Sequence, residues 1–106
     1  MVEYRFSPNL LGKAIRGLSR KAVESLSVKG SYSFVFEDVI IVPIYAKKDD
    51  IKTNFSDEDL EEVHFIIDYK GFLWKVWLHS DGTVIVRPKL RKDYVEHMLH
   101  EFSKMQ

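Results

Sequence analysis

The residues best suited to binding chemistry in this 106-residue sequence are a tryptophan and a set of cations spaced for one face of a sheet. Cations beside an aromatic ring are typical of surfaces that hold single-stranded nucleic acid, where phosphates contact the cations and bases stack on the ring. The pattern therefore predicts a non-enzymatic domain that binds single-stranded nucleic acid, without distinguishing DNA from RNA. No RNP-type motif, KH-type GxxG loop or zinc finger narrows this prediction. The predicted contacts are Lys75, Trp77, Arg87, Lys89, Arg91 and Lys92, with Lys13, Arg16 and Arg20 as auxiliary cations.

The same predicted face also carries apolar side chains, so two further interpretations stay open. Exposed apolar patches mark contact sites between proteins. Ile66, Leu73, Trp77 and Ile85 would then form a protein interface, most simply that of a homodimer. Alternatively, these four side chains pack beneath a helix, and the lysine and arginine stems extend past them into solvent.

Histidines form a second candidate site. His64 and His79 are expected on the same face as Asp68, and imidazole with carboxylate binds zinc or acts as a general base. A small metal-binding protein or hydrolase is therefore a second alternative. His97 and His100 lie three residues apart, but no HExxH motif surrounds them. Ordinary surface or boundary histidines explain both pairs as well, and we assign no catalytic residue, metal or cofactor.

The charges are segregated along the chain although the formal net charge is zero. Residues 1–36 carry six basic and two acidic side chains, residues 49–68 carry one and eight, and residues 69–92 carry six and one. A neutral chain can therefore have a basic face and an acidic face. The acidic run at residues 57–62 lacks the spacing of an EF-hand loop. We expect either a solvated loop or an intramolecular cover for the basic face.

Composition excludes several classes of function. The chain has no cysteine, which excludes disulfides, thiol catalysis and cysteine-zinc sites. It has no 18-residue apolar run, secretory leader pattern, phosphate-binding glycine loop or serine nucleophile elbow. We therefore expect a cytoplasmic protein with no membrane partner. Two asparagines and one glutamine are few for this length, which is a trait of thermophile proteins.

A first helix is predicted to begin at Pro8 with Ser7 as its N-cap, since proline needs no hydrogen bond for its nitrogen at that position. Gly12 and Gly17 lower its intrinsic stability by roughly 1 kcal/mol each. They allow close approach by a partner or another backbone, and we prefer close packing of the helix on the sheet as the explanation. The helix has one apolar stripe, formed by Leu11, Ile15, Leu18, Ala22 and Leu26.

Two strands are predicted to follow. Residues 31–37 alternate between aromatic and small side chains, and residues 39–46 are apolar almost throughout, as in a strand covered on both faces. Pro43 cannot donate to a strand ladder, so we expect an edge strand or a bulge there. Residues 47–62 are expected to form a polar connection, with Ser56 able to cap a short helical turn.

Three further strands are predicted as a meander whose register follows from its turns. Turns at residues 70–71 and 80–82 pair Phe65 with Val76, and Val76 with Val86. One face is then wholly apolar or aromatic, and a one-residue slip would expose all of it. The predicted core face carries Val63, Phe65, Ile67, Tyr69, Phe72, Trp74, Val76, Leu78, Val84, Val86 and Pro88.

A last helix is predicted from Lys92 or Asp93 to about Lys104. Its apolar stripe consists of Val95, Met98, Leu99, Phe102 and Met105. Residues 1–106 are therefore expected to form a single α+β domain, with an antiparallel sheet of about five strands layered against an N-terminal and a C-terminal helix. The predicted element order is α-β-β-β-β-β-α.

Overall fold

The computed structural model of the chain describes residues 1–27, 33–48 and 60–105, of which residues 19–27, 45–48 and 60 are described by their backbone alone. It has the predicted α+β architecture, with two helices and an antiparallel sheet, but the sheet has six strands rather than about five. The elements are β1 (Val2–Arg5), α1 (Pro8–Ser27), β2 (Phe34–Phe36), β3 (Val39–Lys48), β4 (Leu60–Tyr69), β5 (Phe72–His79), β6 (Thr83–Arg87) and α2 (Lys92–Ser103). Their order across the sheet is β1-β6-β5-β4-β3-β2.

The N-terminal strand β1 is the element that the sequence did not predict. It pairs antiparallel with β6, so that Val2 lies opposite Val86 and Tyr4 opposite Val84. The Tyr4 hydroxyl donates a hydrogen bond of 2.6 Å to the carbonyl oxygen of Leu90, beyond the other end of β6. Four residues of alternating burial are too short a segment to stand out as a strand pattern.

The strand β3 confirms the expectation of an edge strand or a bulge at Pro43 and corrects two others. It lies between β4 and β2, so it is not an edge strand. The predicted bulge is present, because the β3–β4 register shifts between Pro43 and Tyr45. The strand is covered on one face only, since Ile40 and Ile44 are 43% and 36% exposed. The strands β3 and β4 also extend into the connection predicted at residues 47–62, where Lys48 lies opposite Leu60.

The predicted register of the meander is confirmed. Phe65 lies opposite Val76, and Val76 opposite Val86. The inner face of the sheet is buried at seven of the eleven predicted core positions: Val63, Phe65, Ile67, Val76, Leu78, Val84 and Val86. The other four lie nearer the sheet margins, where Tyr69 and Trp74 are half-buried and Phe72 and Pro88 are exposed.

Helix α1 begins as predicted, because the Ser7 hydroxyl accepts hydrogen bonds from the backbone N–H groups of Asn9 and Leu10. Its buried side chains join the inner-face cluster. Gly17 corrects the explanation given for it. A Cβ at Gly17 would overlap the carbonyl oxygen of Phe102 in α2, so this glycine allows close packing of the two helices rather than of helix and sheet.

Helix α2 completes the inner layer. Val95, Met98, Leu99 and Phe102 are buried as predicted. The Phe102 ring meets the Phe65 ring edge-to-face at 5.7 Å, which joins the helix to the centre of the sheet. In the part of the chain that the structure describes, both helices therefore pack on the inner face, and no described helix covers the opposite, outer face.

Candidate binding site on the outer face of the sheet

Trp77 lies on the outer face of β5 and is half-buried without a described helix over it. Its indole Nε1 donates a hydrogen bond of 2.8 Å to Glu62 Oε2 on the neighbouring strand β4. The rings of His64 and His79 lie edge-to-face with the indole, at centroid distances of 5.5 and 6.3 Å. These three contacts hold the indole in a defined orientation at the surface of the sheet.

Lys75 and Arg87 lie in the adjacent row of the outer face, directly opposite each other on β5 and β6, as the register predicts. Both side chains are exposed. Like charges at opposite positions are unfavourable, and no carboxylate in the described residues pairs with either cation. Arg87 Nη2 instead lies 3.7 Å from Met1 Sδ. The pair therefore presents two cations to solvent.

These side chains enclose a shallow pocket of about 310 Å³, which we call the Trp77 pocket. Its lining residues are Met1, His64, Lys75, Trp77, Ile85 and Arg87. The structure thus brings together three of the predicted nucleic-acid contacts, Lys75, Trp77 and Arg87, and two of the predicted interface residues, Trp77 and Ile85. The hairpin register predicted from the turn at residues 70–71 also places His64 opposite Trp77, so His64 could have been expected here, whereas Met1 was missed because β1 was missed.

His64 has an altered pKa within this pocket. Burial lowers the pKa of the imidazole below its ordinary 6.5, because the charged form loses solvation. The Glu62 carboxylate raises the pKa of the imidazole, and the Lys75 ammonium lowers it further. The imidazole is therefore mostly neutral at pH 7, and the charged side chains that line the pocket are Lys75 and Arg87.

The predicted auxiliary cations on α1 do not join the Trp77 pocket. Lys13 and Arg16 belong to the helix layer, on the opposite side of the sheet. Lys13 lines a separate groove between the two helices, together with Glu96 and His100. The side chain of Arg20 lies outside the described part of the chain.

The predicted cations that follow β6 also lie apart from the pocket. The strand ends at Arg87, so Lys89 lies beyond its register. Arg91 is paired with Asp93, with nitrogen–oxygen distances of 3.1 and 2.7 Å. Lys92 begins α2, and its Nζ lies 5.5 Å from the centroid of the Phe6 ring.

A row of exposed apolar side chains crosses the outer face beside the pocket. Val35, Ile40 and Leu73 lie in one cross-strand row with Asp68, and the three are 74%, 43% and 56% exposed. Of the predicted interface residues, Ile66 and Ile85 are half-buried on the same face. The sequence did not reveal Ile40 because β3 was expected to be covered on both faces.

The acidic residues of the outer face are engaged locally. Asp68 Oδ1 accepts a 2.9 Å hydrogen bond from the backbone N–H of Gly71 in the β4–β5 turn. Glu3 forms an exposed ion pair with Arg5 at 3.7 Å. Of the predicted acidic loop, residues 57–59 lie outside the described part of the chain, while Glu61 and Glu62 belong to β4 rather than to a loop.

The structure does not bring His64, His79 and Asp68 together. His64 and Asp68 are four residues apart on one strand, which is about 13 Å. His79 Nδ1 accepts a hydrogen bond from the Asp81 backbone at 3.0 Å. Among the described residues, no group of three or more histidine, aspartate or glutamate side chains could hold a metal ion. Near the C-terminus, His97 Nε2 bonds to Glu37.

Comparisons with known proteins provide no family for the chain. A scan against protein-family models and searches of curated proteins and of solved structures found no match. In the described part of the chain, neither helix is long and apolar enough to cross a lipid bilayer.

Proposed function

We propose that the outer face binds single-stranded nucleic acid and that the Trp77 pocket holds one nucleotide unit. The observation that carries the proposal is the pair of exposed cations, Lys75 and Arg87, one row away from a fixed indole ring. Two residues along a strand span about 7 Å, which is comparable with the reach from a phosphate to its own base. In this arrangement Lys75 and Arg87 each contact one of the two phosphates that flank the nucleotide, while its base packs on Trp77.

The proposal implies weak preference between bases. The Trp77 Nε1 donor is already bonded to Glu62, so it is not free to recognise a base edge. Contact through a ring surface is tolerant of sequence, because every base has an aromatic face. Ile85 and the neutral His64 add apolar and polarisable surface around the base, and this surface contacts all four bases in a similar way.

The proposal also implies a small salt dependence. For single strands, the logarithm of the affinity falls with the logarithm of the salt concentration with a slope of about −0.7 for each neutralised phosphate. Contacts from Lys75 and Arg87 alone predict a slope of about −1.4, whereas all nine cations of the sequence-based prediction would give about −6. The slope therefore reports how many of the predicted cations take part.

The test is a titration of fluorescently labelled oligo-dT and oligo-U followed by anisotropy at several salt concentrations. We expect Lys75→Gln and Arg87→Gln each to weaken binding and to reduce the magnitude of the salt slope by about 0.7. Trp77→Leu is expected to reduce the binding free energy by roughly 1–3 kcal/mol, because a base loses the ring on which it packs. Lys13→Gln is the matched control, because it removes a cation from the opposite layer. No binding at low salt, or an equal loss in the Lys13 variant, would contradict the proposal.

A homodimer through the outer face is the second candidate. It is favoured by the exposed row of Val35, Ile40 and Leu73, because exposed apolar patches mark protein contacts. A dimer formed in this way persists at high salt, since apolar burial is not screened by ions. Sedimentation of the wild type and of Trp77→Glu in high salt tests it, and a wild type that is monomeric at every concentration contradicts it.

A further inference from the structure

A second cavity lies on the inner side of the sheet, where the β2–β3 turn, the β4–β5 hairpin and the start of α2 meet. Its volume is about 230 Å³. We call it the aromatic cavity, and it is lined by Asp38, Val39, Ile67, Tyr69, Trp74, Leu90 and Tyr94. It is separate from the Trp77 pocket, so an inference drawn from it does not depend on the function proposed above.

Three aromatic residues from three different elements line this open cavity. Tyr69 comes from β4, Trp74 from β5 and Tyr94 from α2, and each is half-buried. Val39 and Ile67, which are buried, add apolar wall. A ring face attracts a cation through its quadrupole, and several rings around one space are the arrangement that recognises quaternary ammonium groups.

The charges around the aromatic cavity favour a cation. Asp38 is exposed on the cavity wall and forms no ion pair with another described residue. Burial raises the pKa of the Tyr94 hydroxyl, and the Asp38 and Glu37 carboxylates raise it further, so their negative potential extends to this ring. Lys70 Nζ lies 5.4 Å from the centroid of the Tyr69 ring, so this ring already contacts one cation of the chain, and Asp38 is the charged side chain on the cavity wall itself.

Size and hydration select the kind of cation. A cavity of about 150 Å³ accommodates a benzene-sized guest, so about 230 Å³ is enough for a trimethylammonium head with a short tail. A primary ammonium is strongly hydrated and needs three hydrogen-bond acceptors. This mostly apolar wall offers few acceptors, whereas a methylated ammonium needs none.

We infer that the aromatic cavity is a binding site for a methylated ammonium group, held by Tyr69, Trp74 and Tyr94 and neutralised by Asp38. This chemistry occurs both in free quaternary amines and in trimethylated lysine side chains. The geometry defines the shared head group, and the test below separates the two sources.

The test compares choline with its uncharged carbon isostere, 3,3-dimethylbutan-1-ol, by calorimetry and by chemical shifts of the Trp74 indole. We expect choline to bind at least about fivefold more tightly than the isostere. Both compounds make the same apolar contacts, but only the charge of choline is attracted by the ring faces and by Asp38. Asp38→Asn is expected to weaken choline binding and leave the isostere unchanged. Glu3→Gln, which removes an equal charge outside the cavity, is expected to change neither.

Equal affinities for choline and the isostere would overturn the inference, as would no binding of any methylated ammonium at millimolar concentration. Trp74→Leu, checked for folding by its amide spectrum, is expected to abolish the choline preference. A peptide carrying trimethyllysine, set against the same peptide with unmodified lysine, identifies the source. If the trimethyllysine peptide binds more tightly than choline, the ligand of the cavity is a methylated lysine side chain of a protein. If it binds more weakly than choline, the ligand is a free quaternary amine.

Discussion

Glu62 determines how Trp77 can contribute to binding. The carboxylate accepts the indole N–H at 2.8 Å and lies on the neighbouring strand, so it fixes the ring against β4. A fixed ring loses little conformational entropy when a ligand packs on it, which is an advantage for a stacking surface. At the scale of single residues, therefore, an acidic side chain next to the pocket serves to position the aromatic ring.

His64 gives a testable pH dependence of stability. Its pKa in the folded protein is below the ordinary 6.5, so the unfolded chain binds the proton first as the pH falls. The stability associated with the neutral imidazole is fully present above about pH 6.5 and is lost as the pH falls through the lowered pKa. We expect His64→Gln to show a smaller loss of unfolding free energy between about pH 7.5 and pH 5 in urea titrations.

The control for this pH dependence is His100→Gln, which replaces an exposed histidine on α2. The pH profile of this variant should differ from that of His64→Gln, because the His100 side chain is exposed beside Glu96 and is not half-buried next to Lys75. A His64→Gln profile as steep as that of the wild type would show that the imidazole does not titrate differently in the folded and unfolded states.

At the scale of elements, the contact between the two helices depends on Gly17. A Cβ at this position would overlap the Phe102 carbonyl oxygen, which belongs to backbone and cannot rotate away. We expect Gly17→Ala to destabilise the fold by roughly 1–3 kcal/mol through overpacking. Urea denaturation followed by circular dichroism measures the change.

Gly12 provides the matched comparison on the same helix. The nearest atom to a Cβ at Gly12 is Arg16 Nη1 at 3.5 Å, which is ordinary contact with a flexible side chain. Gly12→Ala is therefore expected to stabilise the protein by roughly 0.5–1 kcal/mol through helix propensity. If both alanine variants shifted stability in the same direction, the helix contact would not be the cause.

The docking of β1 yields a prediction for the strand that the sequence did not reveal. The Tyr4 hydroxyl donates at 2.6 Å to the Leu90 carbonyl, which joins β1 to the segment before α2. We expect Tyr4→Phe to cost about 1 kcal/mol of unfolding free energy. Tyr69→Phe is the control, since no hydrogen bond from the Tyr69 hydroxyl joins it to another described residue, and its stability should change less. Equal losses in the two variants would contradict the role of this hydrogen bond.

Local patterns explain which elements could be predicted. The register of the meander followed from two turns, because side chains alternate strictly between faces and one shift would expose the whole core. Pro43 showed where a bulge would form, but the position of β3 inside the sheet depends on pairing with both neighbours. The distant pairing of β1 with β6 has no local signal in four residues.

At the scale of the whole molecule, the candidate sites separate by layer. Counting charges along the chain could not show that Lys13 and Lys75 lie on opposite sides of the sheet. The residues of the aromatic cavity come from four separate segments between Asp38 and Tyr94, so no spacing along the sequence marks them. Only the assembled fold brings such residues together, whereas Trp77 and its neighbours follow from a single meander.

The two candidate functions of the outer face can be separated by one substitution, Leu73→Lys. Leu73 is 56% exposed and lies opposite Asp68, so a lysine there faces a carboxylate and should leave stability nearly unchanged. If the face binds nucleic acid, the added cation should strengthen binding and steepen the salt slope by up to about 0.7. If the face is a dimer interface, the buried charge should dissociate the dimer, as sedimentation would show. Weaker binding to oligo-dT without any change of mass would contradict both.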